Sequence, residues 1–274
     1  MQKNYNGLKD NVENAFKYFL AAMFPYHFGD VAPECSVCSL LNLNINLNLN
    51  NNNNYIEKFA VQKAAINLEQ ALCRVMDDNS QAEIVTQGLL AKLPEILRVL
   101  MTDVEAAYQG DPAAKSFDEV ILSYPAFIAI SAYRIAHELF IMRVPLVPRI
   151  MTEHAHKLTG IDIHPGAAIG EYFFIDHGTG VVIGETSTIG HHVKLYQNVT
   201  IGAKSFQTAP DGSLVKGIKR HPDIGNNVVI YAGATILGGD TFIGDGSVIG
   251  GNVWLTHSVS PGSVILNKTP EPEI

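Results

Sequence analysis

From Gly160 onward an aliphatic residue or phenylalanine returns every six residues, and no other feature of the chain restricts its fold so tightly. The series runs through Ile163, Ile169, Ile175 and Val181, then Ile183, Ile189, Leu195 and Ile201. After a gap it resumes at Ile224, Ile230, Ile236 and Phe242, and again at Ile243, Ile249 and Leu255. An amphipathic helix needs a period near 3.6 and a half-buried strand a period of 2. One inward aliphatic residue per hexad is instead the pattern of a parallel β-helix, in which three hexads make one triangular coil and successive coils stack. Glycine follows the aliphatic residue at Ile169, Ile183, Ile189, Ile201, Ile224, Ile243 and Ile249, where the chain has to turn a corner. Slips of phase near 181–183 and 242–243 mark coil boundaries. The polar stretch 202–223, "GAKSFQTAPDGSLVKGIKRHPD", reads as a loop thrown out from one corner, and insertions in repeat proteins often line the binding face.

The N-terminal half follows the helical period. "YIEKFAVQKAAINLEQALCRVM" and "QAEIVTQGLLAKLPEILRVLMTDVEAAYQG" carry apolar residues at spacings of three and four, with Pro94 expected to kink or break the second segment. Asp111-Pro112 should end it, because the residue before proline avoids the α region. The stretch from Tyr124 to Val144 is apolar almost all round, which predicts a buried or interface helix, and residues 145–158 give one more. The expected organisation is an all-α domain over 1–159, a β-helix over 160–264 and a tail over 265–274. The asparagine-rich tract 41–54 is taken as a loop.

Composition excludes several roles. The formal charge of −8 argues against nucleic acid or an anionic membrane as partner. No apolar run reaches the roughly 18 to 20 residues a transmembrane helix needs, and the polar N-terminus does not read as a secretory signal, so a cytoplasmic location is expected. The three cysteines include Cys35 and Cys38 in a lone C-x-x-C with no second pair, which points to neither a disulfide framework nor a metal site.

Within "FFIDHGTGVVIGE", residues 173–185, the pair Asp176-His177 interrupts an apolar run. Two titratable groups there would be costly unless exposed or hydrogen-bonded, which places them at a corner. Asp162 precedes His177 by nearly one coil of three hexads. That spacing would put it on the preceding rung, behind the His177 ring, where a carboxylate can fix the tautomer of a general base.

"IDIHPGAAIGEYFFIDHGTGVVIGETSTIG", "LYQNVTIGA" and "RHPDIGNNVVIYAGATILG" resemble the serine O-acetyltransferase family, and the resemblance covers residues 111 to about 252. It implies a left-handed β-helix and transfer of acetyl from acetyl-CoA to the L-serine hydroxyl in cysteine biosynthesis. It implies His177 as general base with Asp162 as partner, and a serine pocket made by Asp111, Asp176, Arg220 and His221. The pantetheine arm would run past Gly202, Ala203, Ala232 and Gly251, with Lys204, Lys216 and Lys219 as candidates for the CoA phosphates and no metal. It further implies a homotrimer with clefts between neighbouring β-helices, or a dimer of such trimers, and L-cysteine as a feedback inhibitor in the serine pocket. The terminal Ile274 would insert into O-acetylserine sulfhydrylase.

The chemistry is consistent with that assignment. Asp111 and Asp176 can take the ammonium of serine, Arg220 its carboxylate through a bidentate fork, and His221 can donate to the developing oxyanion. One alternative is a hexapeptide acetyltransferase acting on a sugar hydroxyl, which has no need of Asp111, Asp176 and Arg220 together. A zinc carbonic anhydrase would need three convergent histidines, and His177, His191, His192 and His221 lack the H-x₄-H spacing. A catalytically silent scaffold is a third. His164, His191, His192 and His257 read as solvated corner residues.

Overall fold

The computed structural model describes residues 4–29 and 54–267. Cys35, Cys38, the asparagine tract up to residue 53 and Ile274 lie outside the described residues. The chain forms two compact units, one of residues up to 97 with 138–151, the other of residues 98–137 with everything from 152. Among the described residues no single helix is long and apolar enough to cross a membrane.

The first unit contains α1 (Leu8–Met23), α2 (Pro25–Phe28), α3 (Asn54–Val75) and the beginning of α4 (Asn79–Gly110). Its core is the α1–α3 seam, where Val12, Ala15 and Phe19 meet the buried small and branched residues Ala60, Ala64, Leu68 and Leu72. Pro94 lies inside α4, which continues through it as one helix.

The second unit holds the end of α4, α5 (Phe117–Ser123), most of α6 (Pro125–Ile141) and α7 (Val147–Thr159), followed by the β-helix. A buried ion pair fastens its helices to the first coil. Arg134 donates Nε and Nη2 to Asp103 at 3.1 and 3.0 Å, and Nη1 and Nη2 to the carbonyls of Ile169 and Gly170, both at 2.6 Å. Asp103 in turn accepts the Phe173 N–H at 2.9 Å. Nearly every polar atom of the pair is satisfied, the condition under which a buried charge is tolerated.

The β-helix begins shortly after α7 and has three faces of parallel strands. The first face stacks β1 (Asp162–Ile163), β4 (Val182–Ile183), β7 (Thr200–Gly202), β10 (Thr235–Leu237) and β13 (Trp254–Leu255). The second stacks β2 (Ala168–Ile169), β5 (Thr188–Ile189), β8 (Asp223–Ile224) and β11 (Phe242–Ile243). The third stacks β3 (Phe174–Ile175), β6 (Lys194–Leu195), β9 (Val229–Ile230), β12 (Val248–Ile249) and β14 (Val264–Ile265). Ile175, Leu195, Ile201, Ile230, Ile236, Ile243 and Ile249 are fully buried, the inward column read from the hexads. Phe242 is a correction: it is 46% exposed, and Ile243 beside it points inward.

The strand register explains the slips of phase. Val182 pairs with Thr200 at a spacing of three hexads, whereas Asp162 pairs with Val182 at a slightly longer one. Thr200 pairs with Thr235 across the inserted loop, and the pairing of Thr235 with Trp254 again runs just past three hexads. The pairing of Asp162 with Val182 also corrects the expected placing of Asp162: it begins the same coil that His177 ends, not the preceding rung.

Candidate active site

The site residues expected from the sequence fall at two different corners of the triangle. Asp176, His177, Ala232 and Gly251 lie where the chain passes from the third face to the first. Gly202, Ala203, Lys219, Arg220 and His221 lie where it passes from the first face to the second. Asp162 starts the first face on the coil of His177.

At the first corner, five residues link inward Leu195 to inward Ile201, but seven link Ile175 to Ile183. The two extra residues throw D-H-G-T-G outward as a bulge. His177 takes a left-handed backbone, φ 59°, flanked by Gly178 at 93° and Gly180 at 80°. A non-glycine residue there is strained by about 1–3 kcal/mol unless its surroundings hold it. Its side chain is 72% exposed, and its ion-pair partner within 4 Å is Asp176, with Oδ1 3.9 Å from Nε2. No hydrogen bond among the described residues joins His177 to Asp162, whose carboxylate lies within 4.8 Å of the ligating atoms of Glu153 and His156.

Asp111 reaches this corner from the end of α4. Its carboxylate accepts the Ala113 N–H at 2.8 Å in an Asx turn and the Tyr124 hydroxyl. The Tyr124 bond, then the Ala113 bond, hold its pKa below the usual value. Tyr124 is set in place by α5, whose N-cap Ser116 accepts the Glu119 N–H at 3.1 Å. The same contacts push the Tyr124 hydroxyl well above its ordinary range, burial first and the Asp111 hydrogen bond next. Asp111, Tyr124, Asp176, His177 and Thr179 line a cavity of about 450 Å³. Further up this corner Gly251 lies against Ala232, whose carbonyl would be 3.2 Å from any Cβ added there.

The second corner is tied together by Thr186. Its Oγ1 accepts the backbone N–H of Arg220 at 3.0 Å and of His221 at 3.1 Å, so the hydroxyl proton is left for His221 Nδ1 at 2.9 Å. The Thr186 N–H donates to the same Nδ1 at 3.0 Å. Both contacts make Nδ1 an acceptor, which assigns the neutral ring the Nε2–H tautomer. Burial, then the Arg220 charge, lowers the His221 pKa to about 4. Gly184 permits this packing, because a Cβ there would overlap the His221 ring. Arg220 donates Nη2 to Glu185. Burial works against the Glu185 charge, but the Arg220 hydrogen bond and the nearby His164 and Arg220 outweigh it and lower that pKa. Lys219 donates to the Thr186 carbonyl at 2.6 Å and pairs with Asp223.

Tyr124, Glu185, Thr186 and Lys194 join these corners beyond the residues expected there. Glu185 and Thr186 stood inside the quoted "GET"; Tyr124 and Lys194 carried no local signal, since each becomes part of a site only through contacts with residues distant in the chain.

The fold and the two corners define a left-handed hexapeptide-repeat β-helix protein with paired polar corners. No family model matches the chain. The plasmid serine acetyltransferase of Synechococcus elongatus is 50% identical over 249 residues, spanning 89% of this chain and 76% of that protein. The serine acetyltransferase of Bacillus subtilis is 43% identical over 169 residues, 62% of this chain and 73% of that one. Serine acetyltransferase 1 of Entamoeba histolytica, solved with L-cysteine, superposes with a TM-score of 0.78 at 32% identity, covering 95% and 98% of the two chains. Soybean serine acetyltransferase, solved with serine, superposes at 0.59 with 26% identity over 93% and 97%. The chain belongs to the serine acetyltransferase family.

Proposed function

We propose that the chain is a serine O-acetyltransferase of cysteine biosynthesis, moving acetyl from acetyl-CoA to the L-serine hydroxyl. The observation that carries the reading is an exposed histidine, lifted on a bulge, beside two carboxylates that line one cavity. In this reading Asp111 and Asp176 receive the serine ammonium, and Arg220 its carboxylate. His177 takes the hydroxyl proton as the serine oxygen bonds to the thioester carbon. The Nε2–H of His221 donates to the oxyanion that forms. Collapse of that intermediate breaks the C–S bond, and His177 returns its proton to the CoA sulfur. Asp162 is the carboxylate that orients His177. Support for that role comes from the backbone, where the Gly180 N–H bonds the Gly160 carbonyl at 2.8 Å and packs the bulge beside the start of β1.

Asp111, Asp162, Asp176 and His177 gather at one corner and Arg220 and His221 at the next, so a complete site is read as the first corner of one subunit facing the second corner of a neighbour. That is a homotrimer, with CoA lying between subunits past Gly202 and Ala203 of one corner and Ala232 and Gly251 of the other, and Lys219 near its phosphates. A dimer of trimers, inhibition by L-cysteine in the serine pocket, docking of O-acetylserine sulfhydrylase on Ile274 and a cytoplasmic location complete the reading. The test follows free thiol while the protein, acetyl-CoA and L-serine, L-homoserine or amino sugars are mixed. Serine should be the preferred acceptor; turnover of a sugar instead, or none above the His177→Ala background, would sink the proposal.

A further inference from the structure

Lys194 is an outward residue of β6, registered against Phe174 of β3. An outward lysine on a β-helix face is by default a solvated charge. This one is 19% exposed, and its ammonium has partners on every side. It pairs with Asp176 Oδ2 at 3.2 Å and donates to the Gly110 carbonyl at 2.7 Å. It also lies over the rings of Phe174 at 4.9 Å and Tyr196 at 4.6 Å. Gly110 is the last residue of α4, where unpaired carbonyls and the negative end of the helix dipole favour a cation. It is also the residue before Asp111. Gly110 lies so close to Phe174 that a Cβ would come within 2.9 Å of the ring, which brings the helix end down onto the lysine.

One ammonium thus bridges both acidic residues of the pocket, Asp176 directly and Asp111 through the adjoining carbonyl. Two carboxylates lining one cavity repel each other. With Lys194 between them the group of three carries one net negative charge, which a single ligand ammonium neutralises. Its contacts occupy the lysine, so it acts on the carboxylates rather than on a reacting atom.

We propose that Lys194 is a positioning and specificity-determining residue: it draws the end of α4 and the His177 corner together and sets the pocket to accept one ammonium group. The proposal rests on the serine reading for the identity of that ligand. Lys194→Met should raise the KM for serine about tenfold, the weight of one charge-assisted hydrogen bond, while kcat, the KM for acetyl-CoA and the melting temperature stay near wild type. Lys194→Arg should recover part of the loss. Lys194→Gln, which keeps a donor for Gly110 but no charge, should recover less. Hydrogen–deuterium exchange supplies a readout independent of turnover: Lys194→Met should speed exchange over residues 110–116. Unchanged serine KM with unchanged exchange overturns the proposal. An equal loss in both substrates accompanied by a lower melting temperature also overturns it, since that marks a merely structural lysine. If the wild type does not acetylate serine, the functional reading falls, and the exchange result alone decides whether Lys194 positions the α4 end.

Discussion

The two histidine-bearing corners solve opposite problems. His177 sits on a bulge with a left-handed backbone and an exposed ring. His221, at the adjacent corner, is 7% exposed and held through Nδ1 by Thr186, its pKa lowered to about 4. In the proposed reaction the ring that accepts the proton is the exposed one, and the ring that only donates is the buried, neutral one. The difference lies less in the residue type than in how the chain turns each corner. Two inserted residues raise the first ring, and a long loop returning onto Thr186 locks the second.

The largest effect tests whether the corners work across subunits. His177→Ala and Arg220→Ala chains, each inactive alone, should recover activity when refolded or co-expressed together, because some interfaces then pair two intact corners. Absence of recovery would place the whole site in one chain. His177→Ala alone should lower kcat by about 10²–10⁴ without changing the melting temperature, as expected for an exposed ring. The two carboxylates should separate by kinetics: Asp162→Asn should fall in kcat and Asp176→Asn chiefly in serine KM, and identical behaviour would merge their roles. Gly184→Ala, which collides with the His221 ring, should lower kcat/KM on the order of tenfold to a hundredfold, whereas Gly88→Ala, whose Cβ would meet Met142 at an ordinary contact distance, should leave it intact.

The smallest effect concerns pH and stability. His221 has a folded pKa of about 4, against 6.5 for the free side chain. Between these values the unfolded chain binds a proton the folded one refuses, so the contribution of His221 to stability falls as pH drops from 6.5 to 4. Denaturant titrations should show this slope in the wild type and a shallower one in His221→Gln. Equal slopes would mean His221 is not the buried neutral ring described.

The hexad column made the β-helix legible because inward positions answer only to burial, and Ile163 through Leu255 obey that rule whatever lies at the corners. Phe242 failed for the same reason: the coil that joins Thr235 to Trp254 overruns three hexads and shifts the phase, and the sequence shows two adjacent apolar residues without showing which turns in. Asp162 stands less than one coil before His177, so the two share a coil whether it holds three hexads or the longer run that the bulge makes. D-H-G-T-G and R-H-P stood out through resemblance and through the cost of charge in an apolar run. Lys194 and Thr186 did not, because a lysine or threonine on an outward slot looks like ordinary surface until a helix end or a returning loop covers it.

The regular coil, the two slightly overlong ones and the one that carries the inserted loop all close onto the same ladder. The frame therefore counts inward side chains and ignores how much chain lies between them. Doubling the length of a corner costs only about 0.6 kcal/mol in closure entropy, so a corner can lengthen while the rungs above and below keep their pairing. Such a scaffold separates the part that must stay constant from the part that can vary, and new chemistry can be added at one vertex without renegotiating the core.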